Sequence, residues 1–169
     1  MSQSELLVEV TRGPFVESLH RGHAAVCDAS GALVEGWGDP GAVILPRSSA
    51  KMLQALPLVE SGAADAAGLT DAHLAPDERL ALACASHSGA AIHTERVTRW
   101  LAELGLADGD LRCGPQMPRD RAAREAIVCS GGRPCQVHNN CSGKHAGFLT
   151  LAGHLGAGPD YIAPDHPVQ

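Results

Sequence analysis

Apolar and polar positions alternate along ELLVEVT, residues 5–11, where β-branched residues add to a period of two, and this predicts a strand. Residues 23–39, HAAVCDASGALVEGWGD, predict two more strands around a Ser30-Gly31 turn, so the N-terminal region reads as an antiparallel meander. After Pro40-Gly41 the short apolar run AVILP leads into a helix expected to begin near Ser48 and to kink or stop at Pro57. Four further helical segments follow. DERLALACA is short and apolar, and residues 94–104 place Val97, Trp100, Leu101 and Leu104 on one face, with Thr94 as cap and Gly105 as terminator. RDRAAREAIV comes next, and KHAGFLTLAGHL follows a cysteine-rich loop. Strands first and helices afterwards predict an α+β fold, with helices packed on an antiparallel sheet.

Composition narrows the class. The 169 residues, 44% hydrophobic and 19% charged, suffice for one soluble domain spanning residues 1–169. A net charge of −6 with a pI near 5.8 argues against nucleic acid or an anionic membrane surface as partner. The opening MSQSELLVEV lacks the basic start and apolar run of a signal peptide, and no segment approaches the ~20 apolar residues of a membrane span. Cytoplasm is the default compartment. Six cysteines there are expected to be reduced, so clustered ones suggest metal or catalysis before disulfides. The chain stops at PDHPVQ, where Asp165 or His166 would cap a helix and Pro167 would occupy its first turn, and the expectation is a truncated protein.

Of the 13 basic residues eleven are arginine; Lys51 and Lys144 are the only lysines. Arginine stays charged, whereas burial can hold a lysine neutral so that it serves as base or ligand. Bias toward arginine in an Ala- and Gly-rich sequence explains the scarcity equally well. In PRSSAK, residues 46–51, Ser48 and Lys51 are three apart and share a helical face. The positive end of the helix dipole favours an alkoxide there and disfavours an ammonium, so the pair suits a nucleophile and its base. Ser-x-x-Lys arises readily by chance, and a capping serine followed by a solvated lysine is the ordinary reading. The strand-like approach and the apolar helix behind favour a buried Lys51. Ser49 has only Met52 as its i+3 neighbour.

Two further polar stretches carry candidate chemistry. CASHSG, residues 84–89, holds two serines and His87 at the end of an apolar segment, suited to orienting a substrate or simply to ending a helix. In CSGGRPCQVHNNCSGKH, residues 129–145, the spacings Cys135-x2-His138 and Cys141-x3-His145 would close a tetrahedral zinc site, although only two residues separate the pairs. The alternative is Cys141 with Lys144 one turn later, completed from elsewhere.

NNCSGKHAGFL, together with PRSSAK, CASHSG and the closing DHPVQ, strongly resembles the bacterial L-asparaginase II family, the thermolabile Rhizobium-type asparaginases. The resemblance spans nearly the whole sequence but only about the N-terminal half of a family member. It implies a serine β-lactamase-like and glutaminase-like fold, a cytoplasmic homodimer, and hydrolysis of L-asparagine to L-aspartate and ammonia. Residue by residue it implies a catalytic Ser48–Lys51 pair and a second catalytic serine, Ser86, whose lysine partner lies beyond Gln169. Arg47 matches a substrate-binding arginine, fit for an α-carboxylate, and His145 borders the site as a further substrate-binding residue. Cys141 and Lys144 match two ligands of one zinc ion, with the third, a cysteine, again missing from this chain. The 169-residue polypeptide alone is therefore expected to be inactive or nearly so.

The mechanism these roles imply is acyl transfer: Ser48 attacks the side-chain amide carbon, Lys51 takes its proton, and Ser86 helps protonate the departing ammonia. Two other readings stay open on the residues alone. One is a β-lactamase or penicillin-binding-like serine acylase, since Ser-x-x-Lys recurs there; the other is a zinc-stabilised binding module without catalysis.

Overall fold

The structure is a computed structural model that describes residues 4–70 and 77–169. It is α+β as expected, and the chain forms two compact units, one up to Leu45 and the other from Pro46.

The first unit holds two separate two-stranded antiparallel sheets in place of the expected meander. Strand β1 (Glu5–Arg12) pairs with β2 (Phe15–Gly22), an element the alternation rule passes over because charged and apolar residues fall irregularly along FVESLHRG. Gly13 opens the tight turn between them at φ +58°, a conformation that suits glycine at the first central position, and Pro14 fits the second with its fixed negative φ. Strands β3 (Ala24–Cys27) and β4 (Leu33–Trp37) flank the turn anticipated at Ser30-Gly31. Asp28 builds that turn: its Oδ1 accepts from Ser30 N at 2.8 Å, Ser30 Oγ at 2.6 Å and Ala32 N at 3.1 Å. The Ser30 hydroxyl, above all, holds this carboxyl below its usual range.

The second unit is helical, and the buried core lies within it. Its elements are α1 (Lys51–Glu60), α2 (Ala63–Ala66), α3 (Asp77–Cys84), α4 (Ala91–Glu103), α5 (Arg121–Cys129) and α6 (Ser142–His154). Leu58, Leu69, Val97, Trp100, Leu101, Leu111 and Tyr161 are each no more than 2% exposed. Within this unit α6 packs against α1, α2, α3 and α4. Pro57 neither stops nor ends α1, because Ala55 and Leu58 bury that turn and tertiary packing outweighs propensity. Helix α4 starts three residues before the expected cap: Thr94 lies inside it, with Oγ1 donating to Ala91 O at 3.3 Å. Gly105 ends it at φ +72°, as the sequence indicates.

Helix α6 sits at the centre, with residues from Ser142 to Ala152 buried on nearly all sides. A Cβ at Gly143 would come within 2.5 Å of the Leu82 carbonyl oxygen, so glycine lets α6 lie directly on α3. That close approach matters for chemistry. It brings the loop after α3 against the loop before α6, with the start of α1 between them.

Candidate active site

The turn that carries Ser48 is a single 3-10 turn, Arg47–Ala50, running straight into α1. Arg47 takes φ +55°, a left-handed conformation that costs a non-glycine residue on the order of 1–3 kcal/mol. Its guanidinium is exposed and makes no hydrogen bond or ion pair to any other described residue, so it is free to meet a ligand. Ser49 is occupied, since its hydroxyl donates to the Pro46 carbonyl.

Lys51 is 2% exposed. Its Nζ donates to Ala85 O at 2.9 Å, to Asn140 O at 3.2 Å and to Ser86 Oγ at 2.8 Å. Ser86 Oγ in turn donates to Ser48 Oγ at 3.0 Å. The structure therefore joins the two polar stretches that sequence treats separately, PRSSAK and CASHSG, into one row of hydrogen bonds. It also alters the order expected within that row: Lys51 touches Ser86 directly and reaches Ser48 through it. The cause is local, because the Lys51 side chain runs inward to the two carbonyls and Ser86, while Ser48 stays on the exposed turn.

His87 anchors this arrangement from beneath. Gly89 N–H donates to its Nδ1 at 3.1 Å, and Ser142 Oγ already donates to Val137 O at 3.0 Å, so His87 Nε2–H donates to Ser142 Oγ at 2.9 Å. The ring is the neutral Nε2–H tautomer. Burial first, then the charges of His93 and Lys51, push its pKa down to about 4. The His87 backbone N–H donates to Asn140 O, the same carbonyl that accepts from Lys51.

His145 follows similar logic on α6. Arg112 N–H donates to Tyr161 Oη at 2.7 Å, which frees the phenol proton for His145 Nδ1 at 2.8 Å and leaves the His145 proton on Nε2. Burial, Lys144 and Lys51, in that order, push the His145 pKa down to about 4, while burial pushes Tyr161 up to about 12. His145 therefore lies within electrostatic reach of both lysines.

Cys141 caps the start of α6 and Lys144 follows one turn later, both half-buried, with Lys144 Nζ 5.4 Å from the centre of the Phe148 ring. Cys113 lies near them; burial above all pushes its thiol up to about 11, and its Sγ lies 3.5 Å from Gln136 O. The four residues of the spacing-based zinc set are not gathered into one group among the described residues. His138 Nδ1 turns to Cys135, 3.1 Å from both its N and its Sγ, and His145 turns to Tyr161. Among the described residues no three His, Cys, Asp or Glu side chains gather as a metal-binding group. Cys141 and Lys144 by themselves do not complete a tetrahedral site.

Three contributors escape sequence reasoning. Asn140 acts through its carbonyl, which no side chain reports; Tyr161 is the chain's single tyrosine, a rarity that would have drawn notice; His93 stacks on His87 with ring centres 5.2 Å apart. A cavity of about 350 Å³ beside Arg79, Trp100, Glu103 and His154 includes none of the serines and lies apart from this chemistry.

A family model described as L-asparaginase II matches residues 8–169. The chain belongs to the L-asparaginase II family. Membership suggests an amidohydrolase with L-asparagine as its substrate. A search of curated proteins finds no match. No helix among the described residues is long and apolar enough to cross a membrane.

Proposed function

We propose that the protein hydrolyses L-asparagine to L-aspartate and ammonia through a serine acyl-enzyme, with Ser48 as nucleophile, Lys51 as base and Ser86 between them. The observation that carries this reading is the row Lys51 Nζ, Ser86 Oγ, Ser48 Oγ, with spacings of 2.8 and 3.0 Å. Ser86 is engaged on both sides, so the hydroxyl at the end of the row, that of Ser48, is the one left to face a substrate.

The two carbonyls on Lys51 give the amine its direction. The relay runs with Lys51 neutral and the row of donors reversed: its two N–H groups satisfy Ala85 O and Asn140 O, its lone pair accepts from the Ser86 hydroxyl, and Ser86 Oγ accepts from the Ser48 hydroxyl. As Ser48 Oγ bonds to the amide carbon, its proton passes to Ser86 and the Ser86 proton to Lys51. Collapse of the tetrahedral intermediate reverses the flow: Lys51 returns a proton to Ser86, Ser86 gives its own to the leaving nitrogen, and ammonia departs. Water then cleaves the ester by the same relay. Arg47, with its free guanidinium on the neighbouring position, is assigned to the α-carboxylate. His145 offers its Nε2–H as a neutral donor at the edge of the site.

For zinc, we propose Cys141 and Lys144 as two donors that need a third from outside the described residues, and no step above runs through the metal. A cytoplasmic homodimer is proposed on the family resemblance. The test is ammonia release from L-asparagine by the full-length protein: Ser48→Ala abolishes it, and a Ser48→Ala protein of unchanged rate would end the assignment.

A further inference from the structure

Tyr161 is the chain's single tyrosine and is 0% exposed, yet no step of the acyl transfer uses it. We propose that Tyr161 is a positioning residue for substrate binding: its hydroxyl holds His145 in the one tautomer that gives a hydrogen bond to an oxygen of the substrate. The inference rests on the reading above, in which the His145 imidazole borders the site as a donor.

The hydrogen bonds around the phenol leave one arrangement of protons. Arg112 N–H donates to Tyr161 Oη at 2.7 Å, and a backbone amide can only donate. Were His145 Nδ1 to donate to Oη as well, the phenol proton would have no acceptor among the described residues, in a side chain sealed from water. Tyr161 therefore donates to His145 Nδ1 at 2.8 Å, and the ring proton sits on Nε2. The phenol itself is held in place. Gln169 Nε2 donates to the Tyr161 backbone carbonyl at 2.6 Å, and the ring centre lies 5.6 Å from that of His145 and 6.0 Å from that of Phe148.

The imidazole is equally constrained. It is only 9% exposed, its backbone N–H donates to Cys141 O at 3.1 Å, and its ring centre lies 5.7 Å from that of Phe148, edge against face. Its other nitrogen is where the constraint has a use. His145 Nε2 has no hydrogen-bond partner among the described residues and, unlike His93 Nδ1 and Trp100 Nε1, it is not closed off from solvent. A ligand can therefore reach it. With the proton fixed there, Nε2 donates and has no lone pair to offer, so it selects a carboxylate or carbonyl oxygen and turns away an N–H group. L-asparagine presents such oxygens on its α-carboxylate and on its side-chain amide. Because Tyr161 sets the tautomer before the ligand arrives, binding does not have to reorganise the ring.

Nitrogen NMR on the full-length protein with labelled histidine, at neutral pH, reads the tautomer directly and needs no variant. The expected wild-type spectrum shows His145 protonated on Nε2 and bare on Nδ1, and in Tyr161→Phe the two signals move toward one another as both tautomers become populated. Kinetics with L-asparagine then separates positioning from plain structural support. Tyr161→Phe raises KM about tenfold, the loss of one good hydrogen bond, and changes kcat less. His145→Leu raises KM to a similar extent, and adding Tyr161→Phe to it costs nothing more, since the phenol then has no imidazole to hold. A wild-type His145 protonated on Nδ1, or losses that multiply in the double variant, overturns the proposal. A His145→Leu enzyme of ordinary KM overturns the reading of His145 as a substrate donor, and the proposal falls with it.

Discussion

Lys51 Nζ lies 2.8 Å from Ser86 Oγ, although 35 positions separate the two residues. The contact exists because α3 and α6 approach closely at Gly143, which sets the Ser86 and Asn140 loops on either side of the inward-running lysine. Ser86 is therefore an obligatory link in the proposed relay. In Ser86→Ala the amine keeps its two carbonyls but loses its route to Ser48. We expect kcat for L-asparagine to fall about 10²–10⁴-fold, with far-UV circular dichroism unchanged because position 86 is exposed. A Ser86→Ala enzyme of normal kcat would show that Lys51 reaches Ser48 without it.

Gly143 tests the scaffold separately from the chemistry. A methyl group there meets the backbone oxygen of Leu82, which cannot rotate away as a flexible side chain would. Gly143→Ala should lower stability in urea unfolding by about 1–3 kcal/mol. It should also lower activity, since α3 and α6 must part to admit the methyl. Wild-type stability in this variant would mean that the two helices are further apart than described.

Acid should loosen the fold through two histidines. Burial above all holds the pKa values of His87 and His145 at about 4 in the folded protein, against the ordinary 6.5 of histidine. Between these values the unfolded chain binds more protons than the native one, so stability is fully present above about 6.5 and falls as pH drops toward 4. Thermal melts across that window should show the loss, with a smaller slope in His145→Gln. A flat profile contradicts neutral buried rings. Tyr161→Phe removes the hydroxyl that fixes the His145 tautomer, so nitrogen NMR should report His145 titrating nearer its ordinary range.

The fold class was visible in the order of periodicities, and α5, α6 and the Gly105 stop follow directly from local pattern. Ser48, Lys51 and Ser86 could be singled out because scarce lysines and adjacent serines stand out in an Ala- and Gly-rich chain. Their connectivity was not legible. Helical spacing pairs Ser48 with Lys51, but burial turns the lysine toward carbonyls contributed from Ala85 and Asn140, and no local rule contains those contacts. Likewise Cys135 and His138 have zinc-like spacing yet satisfy one another.

Metal content separates the two zinc readings. In the full-length protein Cys141→Ala and Lys144→Ala should each weaken zinc binding at least about tenfold, as loss of a ligand-shell group does. Cys135→Ala should leave it unaffected. Elemental analysis with chelator titration measures both, and loss of zinc in Cys135→Ala with retention in Lys144→Ala would return the site to the spacing-based set.

The most direct measurement of the central claim is the location of the covalent intermediate. The full-length protein is treated with a diazoketone analogue of asparagine and digested, and the modified peptide is sequenced by mass spectrometry. The account predicts a single adduct on Ser48, formed in the wild type and absent in Lys51→Met. An adduct on Ser86 alone, or one that forms on Ser48 equally fast in Lys51→Met, would contradict it.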